Sequence, residues 1–250
     1  MWSPALTPYI SGAMPPPAAP RSSSAHALVY TGLLGLVVGL ACSTLAPPPF
    51  EFFVDAKAEN QPRLEKIHRW QLRSNANAQA VPGFPLARVD DHSAGSDMLE
   101  EDTLRTKMTE FRGEQQRRLA RRINEWSQVA ARRHYKKEED ETAENDHWPT
   151  FGELLENDGD DCDGLDLLSY RLLLDFGFDS DHVYRAVFRR NSKGTNHMVT
   201  LWFESETDPW VLDATRAATP EMKKISEVTG WTPTVMFNEN RVYNVVDLRQ

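Results

Sequence analysis

The sequence predicts a domain of the α+β class that follows one transmembrane helix. Three observations support this prediction. An uncharged run at residues 27–46 has about the twenty residues that a helix needs to cross a bilayer. Two later segments, 119–130 and 165–176, carry apolar residues at steps of three and four, which is the period of a helix. Apolar runs between residues 182 and 215 then predict strands, two of which form an antiparallel hairpin.

Composition limits the classes of function. The chain has 250 residues, which is long enough for one domain with appendages, and its formal net charge is −9. Because nucleic acids select basic surfaces, this charge argues against a nucleic-acid partner. The two cysteines are Cys42, inside the apolar run, and Cys162. We therefore expect a free thiol at Cys162 and no structural disulfide, and the spacings of a structural zinc site are missing.

The amino-terminal part of the sequence predicts an anchor and a tether. Residues 1–26 are rich in Pro, Ser and Ala and are predicted to be disordered. Residues 27–46 are predicted to be a transmembrane helix or signal anchor, and the charges on either side place the following domain outside the cytoplasm, on the periplasmic side if the protein is bacterial. A cleaved signal, or a lipid on Cys42, remains an alternative. Residues 47–97 are polar and predict a linker with one short helix around 62–72, before a domain at 98–250.

A long helix is expected ahead of the central motif. Its apolar face is predicted from the residues that recur at steps of four and three, which are Leu119, Ile123, Trp126 and Ala130. The arginines on its other side are interpreted as a solvated surface. The charged segment 136–146 that follows is predicted to be an exposed loop.

Cys162 is predicted to stand at the start of the second helix. Apolar residues at steps of three and four follow it over 165–176, and Gly177 supplies the stop. Asp160 or Asp161 can cap such a helix. The free N–H groups and the positive end of the helix dipole favour a thiolate at this position. The alternative for Cys162 is a packed core residue.

The strands predict a histidine and a carboxylate near one another. Runs at 182–190, 196–204 and 209–215 read as strands, and the short polar connection before the third makes the second and third a hairpin. That hairpin brings Asp213 opposite the start of the second strand, within hydrogen-bonding reach of His197. With the thiol, this arrangement predicts a nucleophile, its base and the group that orients the base.

These residues resemble the bacterial transglutaminase-like cysteine peptidases, some of which are periplasmic proteases that release surface adhesins. The similarity extends over about 117–248 and is stronger in combination than in any one piece. In order along the chain, the matching positions are Asp146, Trp148, Glu153, Leu155, the stretch DDCDGLD at 160–166, Gly177, HMV at 197–199 and VLD at 211–213.

The resemblance implies a papain-like arrangement in which the nucleophile helix packs on an antiparallel sheet. It assigns Cys162, His197 and Asp213 to a catalytic triad, with the backbone N–H of Cys162 as an oxyanion donor. Trp148 would line the substrate cleft or pack on the helix as an ordinary aromatic residue.

The resemblance implies no required cofactor, with calcium as a possible addition. In the adhesin-releasing members, acids beside the cysteine bind calcium, and Asp161 and Asp163 match those positions. Gly164 and Leu165 stand where the family has a second acid and an aromatic residue. A calcium site in this chain would therefore need Asp160 or Asp166 in compensation.

The leading hypothesis is a membrane-tethered thiol hydrolase that cleaves amide bonds of an extracytoplasmic protein or peptide through an acyl-enzyme. An amine acceptor in place of water would make it a transamidase. The competing class is a catalytically silent module that binds a protein partner. A metal site formed by Cys162, His197 and carboxylates is disfavoured because no other soft ligand is nearby.

Overall fold

One antiparallel sheet organises the part of the chain that the computed structural model describes, residues 48–56, 61–77, 103–137 and 147–249. These residues lie within one unit of the chain, 46–250. The helices are α1 (Gln61–Asn77), α2 (Leu104–His134), α3 (Phe151–Glu156) and α4 (Cys162–Asp175). The strands are β1 (Phe50–Asp55), β2 (Val183–Arg190), β3 (Asn196–Trp202), β4 (Trp210–Leu212), β5 (Lys223–Lys224), β6 (Trp231–Phe237) and β7 (Val242–Asp247).

The sheet has seven strands in the order β1-β7-β6-β2-β3-β4-β5, and every pair is antiparallel. The mixed helix and antiparallel-sheet fold that the sequence predicts is thus confirmed. Both faces of the sheet are buried, because alternate residues of a strand point to opposite faces. On one face, β3 contributes Met198 and Trp202 to a core shared with the helices. On the other face, Val199 and Leu201 join a second, largely aromatic core.

Helix α4 is fixed to the central strands and to α2. It packs against β2 and β3, and α2 packs against α4. The hydroxyl of Thr200 on β3 donates a hydrogen bond to the carbonyl of Asp166 on α4, over 3.1 Å. The second turn of α4 is therefore held against the middle of β3.

The predicted linker at 47–97 differs from the structure in two segments. Strand β1 pairs with β7 at the edge of the sheet, and Phe50 is buried. Helix α1 confirms the short helix predicted around 62–72, but it belongs to the core. Its Trp70 is 1% exposed and donates a 3.0 Å hydrogen bond from Nε1 to the carbonyl of Pro149. Both segments are short and lie in a polar stretch, which is why they were interpreted as a linker, although Phe52 of β1 and Leu64 and Ile67 of α1 are also buried.

The buried face of α2 also differs from the prediction. Ile123 is buried as expected, but Trp126 is 54% exposed. The face that packs is centred on small and polar residues, which are Ala120, Asn124, Ser127, Gln128 and Ala131. Apolar periodicity alone could not find it because Asn124, Ser127 and Gln128 are polar, and the two amides have specific partners elsewhere in the fold.

No helix within the described ranges combines the length and the apolar character that crossing a bilayer demands. The predicted disordered segment 1–26 and the predicted transmembrane helix 27–46 lie outside the described residues, as does most of the predicted charged loop.

Candidate active site

Cys162 is the first residue of α4, as predicted. The side chain of Asp161 caps the helix by accepting a 3.0 Å hydrogen bond from the N–H of Asp163. The helix ends at Asp175, and Gly177 follows with a φ of 82°, a backbone conformation that glycine adopts readily. The thiol is half-buried and forms no disulfide.

The electrostatic environment of Cys162 favours the neutral thiol. Burial raises the pKa of Cys162 well above its ordinary value, and the charges of Asp161 and Asp163 raise it further. A hydrogen bond from the backbone N–H of Met198 to the sulfur acts in the opposite direction, but it is the weaker influence. Burial and the neighbouring carboxylates therefore oppose the thiolate that the helix start favours.

His197 and Asp213 form a buried pair. Nε2 of His197 lies 3.0 Å from Oδ1 of Asp213, and their side chains are 4% and 0% exposed. His197 stands near the beginning of β3, and Asp213 directly follows β4, its hairpin partner. The hydrogen bond that the hairpin predicts is therefore present. Since Nε2 is used by Asp213, Nδ1 is the ring nitrogen left for a proton from a thiol.

The carboxylate of Asp213 is held by a ring of donors from the loop at 215–219. Oδ1 accepts from the backbone N–H groups of Thr215 and Arg216, and Oδ2 accepts from those of Ala218 and Thr219, over 2.6–3.1 Å. Burial by itself would raise the pKa of Asp213. The hydrogen bond and charge of His197 and the backbone donors outweigh that effect, so the pKa lies below its ordinary value. Asp213 is therefore ionised and fixed in position.

Two residues of α2 position Asp213 and were missed by the sequence analysis. Oδ1 of Asn124 accepts the backbone N–H of Asp213 over 2.9 Å, and Nε2 of Gln128 donates to its carbonyl over 3.0 Å. Both amides are buried. The available signal was their spacing of four residues, which puts two amides on one face of a helix.

The thiol and the imidazole line one cleft of about 440 Å³, which we call the thiol cleft. Its walls include Cys162, Asp163, His197, Met198 and Trp148. Met198 faces the helices and its N–H reaches the sulfur, whereas the ring of His197 leans toward the opposite face. There it contacts the ring of Trp231 with centroids 5.4 Å apart. Cys162 and His197 thus both line the cleft near the first residues of β3.

Trp148 belongs both to the wall of the thiol cleft and to the buried core. It lines the thiol cleft, and its ring stacks on Phe237 with centroids 5.4 Å apart and planes inclined by 6°. The ammonium group of Lys66 lies 4.4 Å from the ring centroid. Trp148 thus packs on the sheet, rather than on α4, and presents its remaining surface to the cleft.

Three carboxylates next to the thiol could hold a cation. Oxygens of Asp160, Asp161 and Asp163 lie within 4.8 Å of one another. Oxygen ligands of this kind suit the hard cation Ca²⁺. Burial, followed by the charge of Asp161, raises the pKa of Asp160, although the charges of His147 and Lys136 act in the opposite direction.

The structure shows which acid accompanies the two predicted ligands. A Cβ atom on Gly164 would lie 2.4 Å from Cβ of Asp160 and 2.7 Å from its Oδ2. Asp160 therefore occupies the space that a side chain at position 164 would need. Asp166 does not join the cluster, because Arg185 binds it.

Arg185 and Asp166 form a fully buried ion pair under the start of α4. Nη2 and Nε of Arg185 donate to the two carboxylate oxygens over 2.7 and 3.0 Å, and both side chains are 0% exposed. Nη2 also donates to the carbonyl of Asp163. Burial raises the pKa of Asp166, and the guanidinium opposes that rise. Arg185 thereby connects β2 to the first turn of the helix that carries the thiol.

Comparisons with known proteins give a distant likeness in structure alone. No protein-family model matches the chain, and no curated protein matches it. Among solved structures, it is similar to LapG of Legionella pneumophila, with 20% identity, a TM-score of 0.45 and coverage of 52% of this chain and 68% of that one. It is also similar to calcium-bound LapG from the same organism, with 17% identity, a TM-score of 0.45 and coverage of 70% and 87%. At this level of similarity, the roles of the site residues rest on their geometry.

Proposed function

We propose that this protein is a thiol hydrolase of the transglutaminase-like cysteine peptidase type, which cleaves amide bonds in a protein or peptide. The observation that carries the proposal is the buried His197–Asp213 hydrogen bond at the thiol cleft, with the sulfur of Cys162 bonded to the N–H of the residue after His197. A nucleophile, a base and a fixed carboxylate are the three parts that acyl transfer needs.

In this mechanism, Nδ1 of His197 accepts the proton of Cys162 as the sulfur attacks the carbonyl carbon of the substrate. Asp213 keeps the imidazole in the required tautomer and stabilises the imidazolium that forms. The backbone N–H of Cys162, at the start of α4, donates to the developing oxyanion. His197 then returns the proton to the leaving amine, and water releases the acyl group from the sulfur. An amine in place of water would give transamidation, which the same residues allow.

Calcium is part of the proposal as an activator held by Asp160, Asp161 and Asp163. These residues fit the ion because their carboxylate oxygens already converge and because burial makes the negative charge of Asp160 unfavourable. When bound, the cation would offset the negative charge that opposes ionisation of the thiol. Asp163 is buried, so it would be the ligand most rigidly placed.

We also propose that the domain acts outside the cytoplasm, tethered by residues 27–46, with a protein or peptide substrate as its partner. This part rests on the apolar run and on the charges beside it. Protease treatment of spheroplasts should degrade the domain, and protection of the domain in unbroken spheroplasts would contradict this location.

The test of the chemistry is alkylation of Cys162 by iodoacetamide near neutral pH, with calcium present. We expect rapid alkylation of the full chain, strong slowing in His197→Ala and little change in the control His182→Ala, since His182 is exposed. Equal rates in all three proteins would overturn the proposal and favour the silent binding module, for which the raised pKa of Cys162 is the supporting observation. Comparison of the extracytoplasmic proteins of cells that carry the wild type or Cys162→Ala should then reveal the substrate by its change in size.

A further inference from the structure

A second groove continues from the thiol cleft. It has a volume of about 670 Å³ and lies between the β2–β3 turn and strands β6 and β7. Gly194 lines both cavities and marks their junction. Its φ of +68° disfavours a side chain, so the junction stays open. We call this second cavity the arginine groove, because Arg189 and Arg190 line it.

The register of the sheet brings the arginine groove next to the proposed base. Phe188 on β2 pairs with His197 on β3, and Arg189 pairs with the preceding residue, Asn196. Arg189 is therefore one residue pair from His197. The guanidinium of Arg190 lies 5.6 Å from the ring centroid of Trp231, the same ring that His197 contacts.

A third cation connects the two cavities. Arg63 of α1 lines the thiol cleft, and its Nη1 donates a 3.1 Å hydrogen bond to the hydroxyl of Thr234, which lines the arginine groove. Burial, followed by the charge of Arg189, lowers the pKa of Arg63. Two guanidinium groups are thus close enough to repel each other.

Within the described ranges, no carboxylate forms an ion pair with Arg63, Arg189 or Arg190. The acid of the groove, Asp247, is bound by Arg249 over 2.7–2.8 Å. In a chain with a net charge of −9, a run of cations without acidic partners beside a substrate cleft is unusual. Such a groove complements an anion, because a guanidinium fork matches a carboxylate with two parallel hydrogen bonds.

We propose that the arginine groove binds an acidic side chain of the polypeptide substrate, on one side of the bond that Cys162 attacks. This inference rests on the proposed function, because it treats the groove as an extension of the thiol cleft. The thiol cleft itself is lined by Asp161 and Asp163 beside the sulfur, so the arginine groove is the part of this surface that suits an acidic side chain.

The test uses fluorescein-labelled hexaglutamate and hexaglutamine, with binding followed by fluorescence anisotropy at low salt. The protein is the full chain in a neutral detergent. We expect hexaglutamate to bind and hexaglutamine to bind much more weakly. Arg189→Gln with Arg190→Gln should weaken hexaglutamate binding by about tenfold or more, the loss expected for one charge-assisted hydrogen bond. Raising the salt concentration should have a similar effect.

The matched control replaces Arg121 and Arg122, an adjacent and exposed pair on α2, with Gln. The charge change is the same, so hexaglutamate binding should stay near the wild-type value. Thermal unfolding of each variant checks its fold, and Arg190→Gln alone serves as the second variant if the double change prevents folding. A hexaglutamate affinity that is unmeasurable in the wild type, or unchanged by either groove variant, would overturn the inference. Tighter binding of a single-stranded hexathymidylate to the groove would also overturn it, in favour of a nucleic-acid ligand.

Iodoacetamide alkylation of the same preparations separates this inference from the proposed function. Comparison of the wild type with His197→Ala in the alkylation assay tests the hydrolase, whereas hexaglutamate binding to the wild type and the groove variants tests the groove. An alkylation rate that does not depend on His197 would contradict the hydrolase. The hexaglutamate measurement would still decide whether the arginine groove binds acidic side chains.

Discussion

Removing one partner of the buried ion pair between Arg185 and Asp166 should destabilise the protein more than removing both partners. Two charge-assisted hydrogen bonds join the pair, and neither side chain reaches solvent. Asp166→Ala would leave a guanidinium in the core, 4.7 Å from the ring centroid of Trp70, without its counter-charge. Loss of one partner of a buried pair costs about 3–5 kcal/mol of unfolding free energy. Arg185→Met should cost a similar amount, because it leaves the buried carboxylate of Asp166 without its counter-charge.

The double variant Arg185→Met with Asp166→Ala contains no buried charge at this place. Methionine retains much of the apolar stem of arginine, and desolvation of an ion pair offsets most of its attraction. We therefore expect the double variant to be more stable than Asp166→Ala by about 1 kcal/mol or more. In other words, the Arg185→Met change lowers stability in the wild type and raises it in the Asp166→Ala background.

Urea unfolding at neutral pH, followed by tryptophan fluorescence, measures each free energy. The control is the exposed pair Arg241–Asp181, whose atoms lie 3.1 Å apart. Asp181→Ala should cost no more than about 1 kcal/mol, because water screens exposed pairs. Losses that simply add in the double variant would refute the reasoning, since they would mean that each residue stabilises the fold independently of the other charge.

The remaining predictions concern the site and the helix before it. Asp213→Asn should lower stability at neutral pH, and its difference from the wild type should shrink below about pH 4 in acid–urea titrations. The reason is that the pKa of the Asp213 carboxyl is lower in the folded than in the unfolded protein, so the contribution of Asp213 to stability is lost as the pH falls through the folded pKa. A stability difference that is constant with pH would contradict an ionised Asp213. Calcium chloride should raise the unfolding temperature, and EGTA should reverse the rise. In Gly164→Ala, the rise caused by calcium should be smaller, because the new side chain displaces Asp160. An equal rise in that variant would count against the site. Thr150→Ala should cost about 1 kcal/mol in thermal unfolding, because the capping box with Glu153 at the start of α3 is lost; an unchanged midpoint would show that the cap contributes little.

Features that depend on neighbours in the sequence were predicted from the sequence. The start of α4 at Cys162, its stop before Gly177 and the β3–β4 hairpin all lie where the residue pattern places them. The His197–Asp213 hydrogen bond followed from that hairpin, because a short connection fixes which residues stand opposite each other. The catalytic roles of these residues stay predictions until the alkylation test is made.

Features that depend on distant parts of the chain were not predicted. Strand β1 pairs with β7, almost two hundred residues later, and the polar segments around it gave no local sign of this. The amides of Asn124 and Gln128 hold Asp213 from a helix whose apolar periodicity pointed to Trp126 instead. Their role depends on where α2 packs, and that is set by side chains from other elements.

The sequence by itself determined a thiol at a helix start and an imidazole bonded to a carboxylate across a hairpin, because turns, caps and strand pairing over a few residues follow local rules. Only the tertiary structure decided that Asp160 fills the space above Gly164, that Asp166 belongs to Arg185, and that burial raises the pKa of the thiol. Only the tertiary structure showed that a groove lined by Arg189 and Arg190, which form no ion pair within the described part of the chain, opens beside the imidazole. The physical reason is that desolvation and charge act through space, so a residue's chemistry depends on which distant residues folding brings into contact with it.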